Sequence, residues 1–139
     1  EFAKGKVCLN PASKVKNAWA YLPDLGEAFA VIAEQRTQLP EFNNFHFKGH
    51  LKTADETFAA ISTASSKRLS RTTYPWMLFS ALGMFMPIMR GLVEMRYIWD
   101  NELGLEDPTL EAMLGANFGT PYAQAIADVV YRLEGKAAA

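Results

Sequence analysis

The order of apolar and polar residues predicts a first helix that begins at Asp24. The Asp24 carboxylate stands where it can accept hydrogen bonds from a first helical turn, and Glu27 follows three residues later, as in a capping box. The helix should end before Pro40. Its apolar face recurs at helical spacing and comprises Leu25, Ala28, Phe29, Ile32 and Ala33.

A second helix is predicted from Thr53 towards Ser65, with Glu56 at the matching capping-box position. Two short segments are predicted to be strands. Asn44 to Lys48 alternates polar and apolar side chains, and Leu69 to Tyr74 contains β-branched residues.

A long helical stretch is predicted from Pro75 to Trp99, with a break near Gly83 and Pro87. The segment from Thr72 to Met89 carries no charge, which raises the alternative of a membrane span. A span needs about 20 predominantly apolar residues, and here prolines, threonines, a serine and a glycine interrupt the run. We therefore expect a buried helix and no membrane span.

The last third of the chain contains two further helix signals. Asp107 followed by Pro108 is a cap with a first-turn proline, and Gly115 offers the left-handed residue that ends a short helix. Thr120-Pro121 repeats the opening signal for a last helix. The apolar face of that helix comprises Ala125, Ile126, Val129, Val130 and Leu133.

Together these elements predict one α+β domain over residues 1–139, mostly helical and with a few short strands. Few and short strands cannot make a full doubly wound sheet alone. We expect them to be edge strands of a larger structure.

Composition argues against several classes of protein. With 14 basic and 15 acidic residues the net charge is −1, so no broad positive field is expected to attract nucleic acid or an anionic membrane. The single cysteine, Cys8, excludes an internal disulfide. No signal peptide is recognisable, and a cytoplasmic location is the expectation.

Motifs for catalysis or metal binding are not found in the sequence. It contains no glycine-rich phosphate loop, no serine elbow and no cysteine with a recognisable histidine partner. His46 and His50 are the only histidines, and a predicted strand and a glycine set them in different directions. We predict no catalytic residue and no metal site in this chain.

Two segments are candidates for binding a small-molecule substrate. In the first, Trp19 and Tyr21 lead directly into the first predicted helix. The second follows the uncharged stretch and contains Arg90, Glu94, Arg96 and Tyr97. A solvated i,i+4 pair is one interpretation of Arg90 and Glu94. The other is a polar cleft wall, because an arginine can hold a phosphate or carboxylate through two hydrogen bonds.

Segments spread over residues 15 to 133 resemble extended short-chain dehydrogenases/reductases of the NAD-dependent epimerase/dehydratase or NmrA-like type. Trp19 to Ala28 is similar to their segment in which a strand ends in a tyrosine and an aspartate, here Asp24, follows at the start of a helix. Asn44 to His50 looks like the next strand. The remaining similar segments are Thr53 to Glu56, Glu94 to Trp99, Leu114-Gly115 and Thr120-Pro121.

The resemblance implies that this chain is the C-terminal, substrate-side portion of a Rossmann-type NAD(P)-binding protein. The relatives carry a glycine-rich loop in an N-terminal dinucleotide-binding domain and a Tyr-x-x-x-Lys pair, and this sequence contains neither. NAD or NADP would then belong to the intact protein, with no cofactor for this chain alone. Asp24 would be a helix cap that shapes the cleft.

By the same resemblance, the substrate would be a nucleotide-sugar-like or another small carbonyl or hydroxyl compound. The start at Glu1-Phe2, which is not a natural initiation, also favours a fragment. Three matters stay open at this stage: whether the chain is instead a non-catalytic, NmrA-like ligand-binding or regulatory module, whether it is a membrane-associated or oligomerising helical piece, and whether it forms a homo-oligomer.

Overall fold

The structure, a computed structural model, describes residues 2–9, 14–102 and 104–135. These residues form the predicted mostly helical α+β fold. The strands are β1 (Lys6–Leu9), β2 (Lys16–Trp19), β3 (His50–Thr53) and β4 (Ser70–Thr73). The helices are α1 (Leu22–Glu34), α2 (Ala54–Ala64), α3 (Trp76–Gly83), α4 (Pro87–Glu94), α5 (Tyr97–Asp100), α6 (Pro108–Leu114) and α7 (Tyr122–Leu133).

The strands pair two by two. β1 runs parallel to β4, with Cys8 opposite Thr72, and β2 runs antiparallel to β3, with Trp19 opposite His50. Parallel strands need a long crossover connection, and the chain from β2 to α2 supplies it. Within the described ranges no strand joins the two pairs, so each pair keeps edges without a strand partner.

The buried core is small. Its apolar members among the described residues are Leu9, Ala28, Ala54, Leu110, Ala125 and Val130, and three of these six are alanines that bury little area. The chain exposes 9677 Å². A compact monomer of 15.5 kDa is expected to expose roughly 7,200 Å². The fold therefore exposes about a third more surface than its mass requires.

The predicted break in the long helical stretch is confirmed, since α3 ends at Gly83 and α4 starts at Pro87. The two helices pack against each other, and no described helix is long and apolar enough to span a membrane. The expected burial of this stretch is wrong. Met77 is 89% exposed and Phe85 83% exposed, because the helices contact each other along one side only and little else covers them.

The predicted Asp24 cap is wrong. Helix α1 starts two residues earlier, at Leu22, and its N-cap Tyr21 makes no side-chain capping bond. Pro23 in the first turn explains the shift, because proline needs no hydrogen-bond partner for a missing N–H. Asp24 thus lies inside the first turn and is free to bond elsewhere.

The predicted strand from Asn44 to Lys48 is also wrong, because this segment has no regular structure and the strand is β3. Phe45 and Phe47 are half-buried while His46 and Lys48 are exposed, so the alternation of side chains is present. The described chain offers these residues no strand to pair with.

The other predicted elements are confirmed within a few residues. Thr53 and Glu56 form the capping box of α2, and β4 lies inside the predicted segment. Asp107 caps α6, which ends at Gly115 with a φ of 85°. Helix α7 buries Ala125 and Val130, whereas Val129 and Leu133 of its predicted apolar face are exposed. Strands β1 and β2 were not predicted from residue periodicity.

Candidate functional site

A cleft of about 520 Å³ opens between the start of α1, the segment 46–50, and the residues from α6 to the start of α7. We call it the polar cleft. The polar side chains of its lining are Tyr21, Asp24, His46, Lys48, His50, Glu111, Thr120 and Tyr122.

Asp24 fixes one wall of the polar cleft. Its carboxylate accepts hydrogen bonds from the backbone N of Thr120 at 2.8 Å and from the Thr120 hydroxyl at 2.7 Å. Asp24 is 7% exposed, and a buried carboxylate is stable only when it is paired or hydrogen-bonded. The two bonds therefore hold the loop before α7 against α1.

Asp107 fixes the opposite wall. One of its carboxylate oxygens accepts from the backbone N of Thr109 and of Leu110 in the first turn of α6, and the other accepts from the backbone N of His46 at 3.0 Å. The bond from His46, followed by that from Leu110, holds the pKa of Asp107 below its ordinary value. One carboxylate thus caps a helix and anchors the segment that carries His46 and Lys48.

Gly49 sets the turn into β3. It has a φ of 57°, and a Cβ at this position would lie 2.5 Å from the carbonyl oxygen of Trp19. Only glycine accepts both conditions without strain. The segment 46–50 therefore passes close to β2 at Gly49, and the next residue, His50, begins β3.

Tyr122 lies beside His50 at the floor of the polar cleft. The Tyr122 hydroxyl donates to Thr57 Oγ1 at 3.0 Å, and the His50 ring meets the Tyr122 ring edge-on, with 5.2 Å between centroids. Lys52 Nζ lies 5.4 Å from the centroid of the same ring. Burial raises the pKa of Tyr122, so its hydroxyl stays neutral at neutral pH.

Tyr21 is held by a second hydrogen bond. Its hydroxyl donates to Asp128 Oδ2 at 2.5 Å, and Arg132 pairs with the same carboxylate at 3.0 Å. The bond to Asp128 raises the pKa of Tyr21 and, with Arg132, lowers the pKa of Asp128. Neither cleft tyrosine has the lowered pKa of a general base. Both can bind and orient a ligand.

A second cleft, of about 430 Å³, lies behind Tyr21, His50 and Tyr122, which line both clefts. We call it the apolar cleft. Its other lining residues lie on β1, β2, α2 and α7, together with Tyr74 and Trp99.

The predicted substrate residues divide into two groups. Trp19 lines the apolar cleft and Tyr21 lines both clefts. Arg90 and Glu94 form an exposed pair at 3.0 Å, Arg96 pairs with Asp100 and lies over the Trp76 ring, and Tyr97 is 64% exposed. These four residues line neither cleft. Their role in substrate binding stays a prediction.

The polar cleft residues that the sequence analysis missed are Lys48, Glu111, Thr120 and Tyr122, and it considered His46 and His50 only as metal ligands. The start signal at Thr120-Pro121 places Tyr122 in a first helical turn, but only the fold brings that turn to His50. In the parts of the chain that the structure describes, no three His, Cys, Asp or Glu side chains converge as a metal site would require.

Comparisons with protein-family models, with curated proteins and with solved structures give no match.

Proposed function

We propose that this chain is the substrate-binding portion of an NAD(P)-dependent oxidoreductase or epimerase, with the substrate in the polar cleft. The observation that carries this proposal is the side-chain set of the cleft. The side chains of Tyr21, Tyr122, His46, Lys48 and His50 line a volume of about 520 Å³. Such a volume is typical of small-molecule sites.

The polar cleft suits a substrate with hydroxyl or carbonyl groups and one anionic group. The Tyr21 and Tyr122 hydroxyl oxygens each donate within the protein and keep lone pairs for a ligand donor. Lys48 Nζ lies 3.4 Å from Glu111 and 3.9 Å from Glu106 in ion pairs whose lysine side chain is 53% exposed. Exposed pairs of this kind are weak, so an anionic ligand can displace them. A nucleotide-sugar-like compound has both kinds of group.

Surface and strand edges support a covering domain of Rossmann type. The chain exposes 9677 Å², well above the roughly 7,200 Å² of a compact monomer of its mass. Within the described residues no further strand joins the parallel pair β1–β4, and parallel sheets are almost always extended and covered on both faces. The alternating segment from Phe45 to Lys48 also meets no strand in the described chain.

Ligand binding to the chain tests the proposal. We expect UDP-glucose to bind weakly and saturably by calorimetry, and to shift the NMR signals of His46, His50 and Tyr122. Lys48→Ala should weaken binding about three- to five-fold, since solvent screens a half-exposed charge. Lys67→Ala, an exposed lysine outside the cleft, is the matched control.

Two results would count against the proposal. One is the absence of saturable binding for UDP-glucose and for simpler phosphorylated hydroxyketones. The other is equal weakening by both lysine variants, which would mean that only net charge matters.

A further inference from the structure

We infer that the apolar cleft is a separate binding site for a neutral aromatic compound of two or three fused rings that carries one hydroxyl or carbonyl group. This inference concerns a cavity other than the polar cleft and does not depend on the proposed function.

The lining of the apolar cleft determines the charge of its ligand. Among the described residues its walls contain no lysine, arginine, aspartate or glutamate. Apart from the His50 imidazole, an ionised group placed there would lose its water without gaining a charged partner, which is unfavourable. The phosphates of a nucleotide sugar would therefore be excluded, and a neutral molecule is favoured.

The aromatic rings in the lining of the apolar cleft determine the shape of the ligand. Trp19, Tyr74, Trp99 and Tyr122 line the cavity together with aliphatic side chains of β1, α2 and α7. Aromatic pairs favour stacked or edge-to-face contacts, so a flat ring system gains most from these walls. A volume of about 430 Å³ exceeds what one ring fills and lies within the range of ligand pockets.

Hydrogen bonds and ring contacts hold the walls of the apolar cleft in place. Tyr21 is fixed by Asp128 and Tyr122 by Thr57, at 2.5 Å and 3.0 Å. The Tyr74 and Trp99 rings are in tilted contact, with 6.4 Å between centroids. Because these side chains are anchored, the cavity cannot close by rotating them inward.

Asn17 supplies a polar group. It lies on β2 in the lining, is half-buried, and its side-chain amide forms no hydrogen bond with any residue that the structure describes. A half-buried amide without a partner among the described residues has both a donor and an acceptor to offer. A hydroxyl or carbonyl group on the ligand would bond to it and fix the orientation of the rings.

Calorimetric titration of the full chain with 2-naphthol tests the inference, with 2-naphthalenesulfonate as the charged probe of the same ring system. We expect one 2-naphthol molecule per chain, at least about ten-fold weaker binding of the sulfonate, and quenching of Trp fluorescence because Trp19 and Trp99 line the site. Asn17→Leu should weaken binding of 2-naphthol, and its binding of naphthalene should not fall.

Three further variants separate the cavity from the exposed apolar surface. Ala20→Trp places a large ring at the lining and should reduce affinity at least about ten-fold. Ala30→Trp, an exposed alanine of α1 outside both clefts, is its matched control. Phe85→Gln removes an apolar side chain of the α3–α4 surface and should leave binding unchanged.

The inference is overturned by any of three results. These are no saturation up to the solubility limit of 2-naphthol, equal affinity for the sulfonate, or loss of binding in Phe85→Gln with retention in Ala20→Trp. Circular dichroism of each variant shows whether a lost affinity comes from a lost fold.

Discussion

Both carboxylate oxygens of Asp24 accept hydrogen bonds from Thr120, a residue 96 positions further along the chain. The bonds join α1 to the loop before α7, and the polar cleft lies between these two elements. An aspartate that local sequence marks as a helix cap is thus a long-range tie that shapes the cleft.

Removing this tie should destabilise the chain. Asp24→Ala leaves the part-buried backbone N–H of Thr120 without its acceptor, and hydrogen bonds to charged groups contribute about 1.5–3 kcal/mol. We expect the free energy of unfolding to fall by about 2–3 kcal/mol, measured by urea denaturation.

A double-mutant cycle with Thr120→Val shows whether the effect acts through Thr120. The two substitutions should be non-additive by about 0.5 kcal/mol or more, because the hydroxyl bond is lost in both. Glu27→Ala, at an exposed position of α1, should change stability by less than about 0.5 kcal/mol. Additive effects would mean that Asp24 acts on its own helix, as a cap does.

In the part of the chain that the structure describes, local signals predicted most helices and one of the four strands. The capping box at Thr53 and the Asp107-Pro108 start depend on neighbours a few residues apart, so the sequence contains them in full. The strand expected at Asn44 was wrong for a different reason. Its alternation is present, but a strand exists only where a partner pairs with it, and pairing is decided by the whole fold.

The site was less predictable than the fold. Trp19 and Tyr21 were found because they precede a helix start, whereas Tyr122 and Lys48 reach the polar cleft through contacts between distant segments. The burial expected of the uncharged segment from Thr72 to Met89 was also wrong. An apolar composition indicates that burying a segment is favourable, but it does not specify which element packs against that segment.

The Tyr21–Asp128 bond makes a prediction about tyrosine titration. Because the bond to Asp128 raises the pKa of Tyr21, Asp128→Asn should shift one tyrosine towards lower pH in an absorbance titration near 295 nm. Asp100→Asn is the matched control, since Asp100 also pairs with an arginine four residues away but bonds to no tyrosine hydroxyl. The idea fails if both variants titrate alike, or if Tyr21→Phe does not remove the shifted group.

Asp107 should make stability depend on acid pH. Its pKa is lowered in the folded chain, so its contribution is present above the ordinary aspartate pKa of 3.8 and is lost as the pH falls below that value. Asp107→Asn should lower the urea midpoint near neutral pH and flatten its decline in acid. Glu41→Gln, which removes one exposed negative charge, should leave the decline unchanged. Parallel acid curves for the wild type and Asp107→Asn would contradict this assignment.

The sequence left two interpretations of Arg90 and Glu94: a solvated ion pair or part of a cleft wall. In the structure Arg90 and Glu94 are an exposed pair 3.0 Å apart, with side chains 74% and 65% exposed, outside both clefts. Exposed i,i+4 pairs contribute about 0.3–0.5 kcal/mol, so Arg90→Ala and Glu94→Ala should each change the free energy of unfolding by less than about 0.5 kcal/mol.

Arg90→Ala and Glu94→Ala should leave the affinity of this chain for UDP-glucose and 2-naphthol unchanged. Arg96→Ala differs, because Arg96 also lies over the Trp76 ring, 5.6 Å from its centroid, and should change Trp fluorescence. Calorimetry on Arg90→Ala, Glu94→Ala and Tyr97→Ala, with Lys48→Ala as the cleft variant, separates the two surfaces. Suppose that Arg90→Ala, Glu94→Ala or Tyr97→Ala weakens UDP-glucose binding as much as Lys48→Ala does while stability is unchanged. The substituted residue then contacts the ligand. The substrate would then extend beyond the polar cleft towards α4.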